Sequence, residues 1–213
     1  MVISLWIHRA LGLEYSYSDI AMQCDTKSIW TIDLVFAMHR CGVKVEFYST
    51  ANQCSSEHIG IPFYKDSFEM DRLRVNRLFK EASLMPKNIG VQDRALDFDD
   101  MCSRIANADQ WAVILVNSIG LHCADGCHGL NPGSTGDSAV SDMRFAGHYI
   151  ILLHFDKSKS QIVYCDPASS HSRCQVGAGL LRESHFCEGT DRDILMIDAN
   201  QKVTMNSYYA LPF

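Results

Sequence analysis

The chain has 213 residues, 47% of them hydrophobic, with 19 Lys and Arg against 25 Asp and Glu and a net charge of −6. That length and apolar content supply the core of a single domain over residues 1–213, and scattered charges without a basic block or aromatic-basic stripe exclude a nucleic-acid partner. No apolar run approaches the ~18–20 residues of a membrane span, and the seven residues before His8-Arg9 are too short for a signal peptide, so the expectation is a soluble, cytoplasmic protein with no membrane partner and nine reduced cysteines.

In chain order, residues 28–41 give the clearest helix. Ile29, Ile32, Val35 and Phe36 recur at helical spacing, Thr26 or Ser28 is placed to cap the start, and Gly42 follows the end. Residues 43–49 read as a strand. An amphipathic helix over 71–85 carries Leu73, Val75, Leu78, Phe79 and Ala82 and stops at Pro86; another covers 97–108. Residues 111–116, Trp-Ala-Val-Ile-Leu-Val, are apolar throughout, the pattern of a central strand covered on both faces. Residues 123–145 are rich in Gly, Ser, Asp and Pro and long enough to serve as a lid. A helix over 180–188, a strand over 193–197 and a flexible tail over 200–213 complete the chain.

Between that lid and the last helix lies a hairpin. Gly147-His148-Tyr149-Ile150-Ile151-Leu152-Leu153-His154 and Gln161-Ile162-Val163-Tyr164-Cys165-Asp166-Pro167 are joined by the turn chemistry of residues 156–160. A turn centred on Lys157 sets His148 directly across from Asp166 on one face, with Cβ atoms about 4.5–5.5 Å apart, the arrangement in which a carboxylate fixes a histidine tautomer. A shift of one residue in the turn would throw the two onto opposite faces. The competing reading is local: His148 opens a strand and Asp166 starts an Asp-Pro turn.

Other constellations are weaker. His122, Cys123, Cys127 and His128 fall within seven residues but lack a second ligand pair, so no metal site is expected there. Asp191 and Asp193, in Gly189-Thr190-Asp191-Arg192-Asp193, read either as oxygen ligands for a divalent ion or as a solvated turn. A cysteine nucleophile for His148 would need the N-terminus of a helix facing the hairpin. Cys24 is the nearest candidate but is followed by Asp25; Cys41 ends its helix, and Cys165 points to the face opposite Asp166.

Taken together, Ser28-Ile29-Trp30-Thr31-Ile32-Asp33-Leu34, Arg74-Val75-Asn76-Arg77-Leu78-Phe79, Gly147-His148-Tyr149, Asp166-Pro167-Ala168-Ser169-Ser170 and Gly189-Thr190-Asp191-Arg192-Asp193-Ile194-Leu195 fall in the order seen in the plant soluble guanylyl cyclase family and the guanylyl cyclase domain-containing proteins. The resemblance implies an α+β, papain-like cysteine peptidase fold, with a central antiparallel sheet and helices packed on it. It implies conversion of GTP to cyclic GMP and diphosphate, with Mg or Mn accompanying the GTP. It also implies that His148 and Asp166 are the remnant of a Cys-His-Asp triad. That family carries a Trp-Asp-Cys-Gly motif opening its first helix, preceded by a glutamine; here the chain begins Met1-Val2-Ile3-Ser4-Leu5-Trp6-Ile7 and has neither, so the nucleophile helix is expected to be truncated or altered. The alternative is a peptidase-like hydrolase that has lost its nucleophile and acts as a catalytically inactive binding module for a nucleotide or peptide-like ligand.

Overall fold

The structure is a computed structural model that describes residues 7, 10–24, 26, 28–86, 89–124, 145–169 and 171–203. Its elements in chain order are α1 (Tyr17–Cys24), α2 (Thr31–Arg40), β1 (Glu46–Ser49), a 3-10 helix (Ser56–Gly60), the single turn α3 (Pro62–Lys65), α4 (Phe68–Leu84), β2 (Gly90–Asp93), α5 (Phe98–Ile105), β3 (Gln110–Asn117), a 3-10 turn (Ser118–Gly120), β4 (Gly147–Asp156), β5 (Gln161–Cys165), β6 (Cys174–Gly177), α6 (Ala178–His185) and β7 (Ile194–Asp198). The architecture is α+β, built on one seven-stranded sheet in the order β2-β1-β7-β3-β4-β5-β6.

The expected antiparallel sheet is in fact mixed. Five neighbouring pairs are antiparallel, but β1 and β2 run parallel. The reason is the connection between them: α4 intervenes, and a strand that follows a crossover helix returns in the same direction. β7, the last strand in the chain, then fills the place between β1 and β3.

Because β3 is the middle strand, both of its faces must be covered, which is why its sequence is uniformly apolar. Val113 joins one cluster with Ile32, Val35, Phe36 and Met38 of α2 and Val75, Leu78 and Ala82 of α4. Ile114 and Val116 join the other, with Phe98, Met101 and Ile105 of α5 and Leu181 of α6. Each fully buried aliphatic side chain in such a layer contributes about 1.5–3 kcal/mol relative to exposure.

Helix α2 begins later than its periodicity suggests, because Trp30 rather than Thr26 or Ser28 is the capping residue. Asp33 bends back to accept the Trp30 N–H at 2.8 Å, while Thr26 and Ser28 close a separate turn in which the Ser28 N–H donates to Thr26 Oγ1. The helix stops as expected at Gly42, whose φ of 82° suits a residue without a Cβ, and the Gly42 and Val43 N–H groups close back onto His39 and Met38 carbonyls. α4 starts a turn earlier than expected, at Phe68, and α5 is capped by Asp97, whose Oδ1 accepts the Asp99 and Asp100 N–H groups at 2.9 and 3.1 Å.

Of the expected lid, residues 125–144 lie outside the described residues, as do Cys127, His128 and residues 204–213. The described start of the expected tail over 200–213 is tied down instead: Gln201 takes the Lys44 N–H at 2.8 Å and donates to the Lys44 carbonyl at 3.2 Å, and Val203 packs against the α2 side of the core. Among the described residues no helix is long and apolar enough to cross a membrane.

Candidate functional site

His148 is the second residue of β4, paired across to Val116 of β3. Gly147 before it occupies a tight place, since a Cβ there would come within 3.1 Å of Phe63 and 3.2 Å of Phe145. Asp166 follows the last residue of β5 and is fixed by its own turn: its Oδ1 accepts the Ala168 N–H at 2.7 Å and its carbonyl accepts the Ser169 N–H at 3.1 Å. The same Oδ1 lies 2.7 Å from His148 Nε2. A carboxylate oxygen that already accepts a backbone N–H can only accept from the imidazole, so Nε2 carries the proton and Nδ1 is the basic nitrogen. The Asp166 side chain is buried, whereas that of His148 is 25% exposed, enough for a ligand to reach the ring.

The two residues meet, but not by the register read from the sequence. The turn pairs Asp156 with Gln161, an even loop that on its own would put the two side chains on opposite faces. A β-bulge at Leu153, between Leu152 paired to Tyr164 and His154 paired to Val163, inserts one unpaired residue and restores the parity. Continued beyond Ile151 and Cys165, that ladder sets Ile150 across from Asp166, so His148 reaches it diagonally, two residues along the same face. Both readings of Asp166 hold at once, because the carboxylate serves the Asp-Pro turn and the histidine together.

On the other face of β4, Tyr149 points at the N-terminus of α2. Its hydroxyl is 2.9 Å from Thr31 Oγ1, and Thr31 Oγ1 donates a short hydrogen bond to Asp193 Oδ2. Asp193 is not in a solvated turn: it is 6% exposed, and its Oδ1 has no hydrogen-bond partner. Burial first, then the charge of Asp191, pushes its carboxyl up to about 8, against the hydroxyls of Ser49 and Thr31. A cavity of about 20 Å³, room for one water, opens there among Trp30, Thr31, Tyr64, Tyr149, Asp191 and Asp193. Asp191 instead bonds His58 Nε2 at 2.8 Å; burial opposes the charge on that imidazole, but the carboxylate outweighs it and raises the pKa.

The first two recognised sequence motifs also meet. Arg74 spans Asp33 and Asp71, and Asp71 collects hydrogen bonds from Ser28, Ser67 and the Trp30 indole. Burial works against the Asp71 charge, yet those donors hold its carboxyl below the usual range; at Asp33, burial wins and the carboxyl is raised despite Arg74. Sequence reasoning missed His58, Tyr149 and Asp71: His58 and Tyr149 meet partners 133 and 118 residues away, and Asp71, besides its neighbours Ser67 and Arg74, collects Ser28 and Trp30 from 43 and 41 residues away.

The three thiols weighed from the sequence, Cys24, Cys41 and Cys165, are all buried with their pKa raised. Cys24 closes α1 rather than opening α2; burial raises its thiol, as it does Cys41 and Cys54, each to about 11, and Cys102, to about 12. Cys165 sits with the α2-side cluster, on the face away from His148, as alternation requires. Among the described residues, no group of three or more His, Cys, Asp and Glu is arranged to hold a metal ion.

The comparisons with known proteins agree on one family. The family model described as guanylylate cyclase matches residues 3–197. Guanylyl cyclase 1 of Arabidopsis thaliana is 24% identical over 218 residues, spanning 96% of this chain and 73% of the plant protein. No solved structure matches. With the match running from the first helices through the β4–β5 hairpin to β7, the chain belongs to the guanylylate cyclase family.

Proposed function

We propose that the chain acts on a guanine nucleotide, converting GTP to cyclic GMP and diphosphate, with the His148–Asp166 pair as its base. The observation that carries this reading is the family match over residues 3–197. Support from the site is a basic Nδ1 on a part-exposed imidazole held by a buried carboxylate. In the reaction the ribose 3′-oxygen bonds to the α-phosphorus and gives its proton to His148 Nδ1. The bond from the α-phosphorus to the bridging oxygen breaks, and diphosphate leaves with the electron pair. Mg or Mn accompanying the GTP, as the resemblance implies, would enter with the substrate, and no step is routed through it. The test is cyclic GMP and diphosphate formation by the purified chain. His148→Ala is expected to lower kcat about 10²–10⁴-fold, the usual share of a general base, with GTP affinity retained. Turnover that is unchanged in this variant would overturn the assignment of the base.

A second reading has its own observation. In a papain-like fold a histidine-aspartate pair of this kind would stand beside a thiolate, whereas burial raises the thiols of Cys24, Cys41, Cys54, Cys102 and Cys165. On that reading the chain is a peptidase-like module that binds a nucleotide or peptide-like ligand without turning it over. Saturable ligand binding with no product from either the wild type or His148→Ala would select it.

A further inference from the structure

We propose a second, separate ligand site: a cleft of about 280 Å³ between α1, α2 and α4 that takes a small oxyanion of the phosphate class on Arg40 and Arg77. Its wall includes Gln23, Asp33, Phe36, Arg40, Arg74 and Arg77, so three guanidinium groups from two helices turn toward one space. The carboxylates nearby are already occupied. Asp33 gives Oδ2 to the Trp30 N–H and Oδ1 to Arg74, and Arg74 is further held by Asp71 and the Ser28 carbonyl. Arg74 is thereby the fixed back wall rather than a ligand.

The other two arginines are differently placed. Arg40 is held by the Gln23 carbonyl through Nη1 and lies 5.8 Å over the Phe36 ring, contacts that orient its guanidinium, and among the described residues no carboxylate pairs with it. Arg77 has a side chain 68% exposed and a loose ion pair, Nε to Glu81 Oε1 at 3.7 Å, worth little in water. A phosphate oxygen pair answers both forks with short, charge-assisted bonds, which is the geometry that favours Arg over Lys. The volume is below that of ordinary pockets for drug-sized ligands, about 300–1,000 Å³, and so selects an inorganic anion or the phosphate tail of a larger molecule.

This cleft is on the α2–α4 side of the sheet, and His148 faces the α5–α6 side, so the site does not depend on the cyclase reading. The test is calorimetric titration of the full chain with inorganic phosphate and then diphosphate. Saturable binding that is stronger for diphosphate, weakens with added salt and falls at least tenfold in Arg77→Glu supports the site. Arg72→Glu, which reverses an exposed arginine on the same helix, controls for net charge and should change affinity less than threefold. Absence of saturable binding, or equal losses in the two variants, overturns the proposal. Arg40→Gln should reproduce the loss with an unchanged circular dichroism spectrum. Competition by GTP identifies the anion as a nucleotide tail, and failure to compete identifies it as a free anion. Diphosphate binding by His148→Ala reads the cleft apart from the dyad, so a failed cyclase assay leaves this result intact.

Discussion

At the residue scale, the group with the largest consequence outside the dyad is Asp193. Its carboxyl is raised to about 8 by burial and by Asp191, while the same group in the unfolded chain titrates near 3.9. Between about pH 4 and pH 8 the folded state therefore holds a proton that the unfolded state has released, and stability falls as pH rises through that window. Below pH 4 both states are protonated and nothing is lost. Asp193→Asn removes the titration, so its melting temperature relative to wild type should climb steadily from pH 4 to pH 8. A difference that is constant with pH would show that Asp193 is ionised in the fold. His58 adds a pH dependence of the same sign: its raised pKa contributes stability below the unfolded value, lost as pH climbs through the folded one. Neither effect was legible in the sequence, where Asp191 and Asp193 look like any polar turn; burial by α2 and β4, distant in the chain, makes one of them an acid.

At the scale of elements, the amphipathic helices and the apolar central strand were readable because periodicity records which face is covered. The helix boundaries were less so. α2 begins at Thr31 because Asp33 caps Trp30, a contact that competes with the Thr26 and Ser28 signals and wins by joining the buried Arg74 and Asp71 network. α1, β2 and β6 were not read at all, being four to eight residues long with too few turns or alternations to show a period. α5 offers a clean test of local capping. Asp97→Ala should cost about 1 kcal/mol by urea unfolding, since two backbone N–H groups lose their acceptor. Asp97→Asn should restore most of it. The hairpin shows a different limit: a bulge is set by pairing across strands, so no inspection of β4 alone could have located it at Leu153.

For the whole molecule, the sheet separates two apolar clusters that share no residue. Ile32 of α2 belongs to one and Ile105 of α5 to the other, each almost completely buried. Ile32→Val and Ile105→Val should each cost about 0.5–1.5 kcal/mol, and the double variant should match their sum within about 0.5 kcal/mol. A larger departure, read by denaturant titration, would mean that the sheet transmits repacking from one side to the other. The membership of the two clusters was foreseeable strand by strand, but the sheet order was not. β7 enters between β1 and β3 although it is last in sequence, and the parallel β1–β2 edge depends on the α4 crossover.

Consecutive residues of β4 address opposite sides of the sheet, so the imidazole of His148 is delivered to Asp166 and the phenol of Tyr149 to Thr31 and Asp193 by the same backbone step. A slip of a single residue would turn both side chains to the opposite face, taking the imidazole from the Asp166 carboxylate and the phenol from Thr31 and the sealed acid in one step. Each side of the sheet thus acts as a proofreader for the other: the buried trio behind β4 penalises any frame in which the dyad in front would be misaddressed.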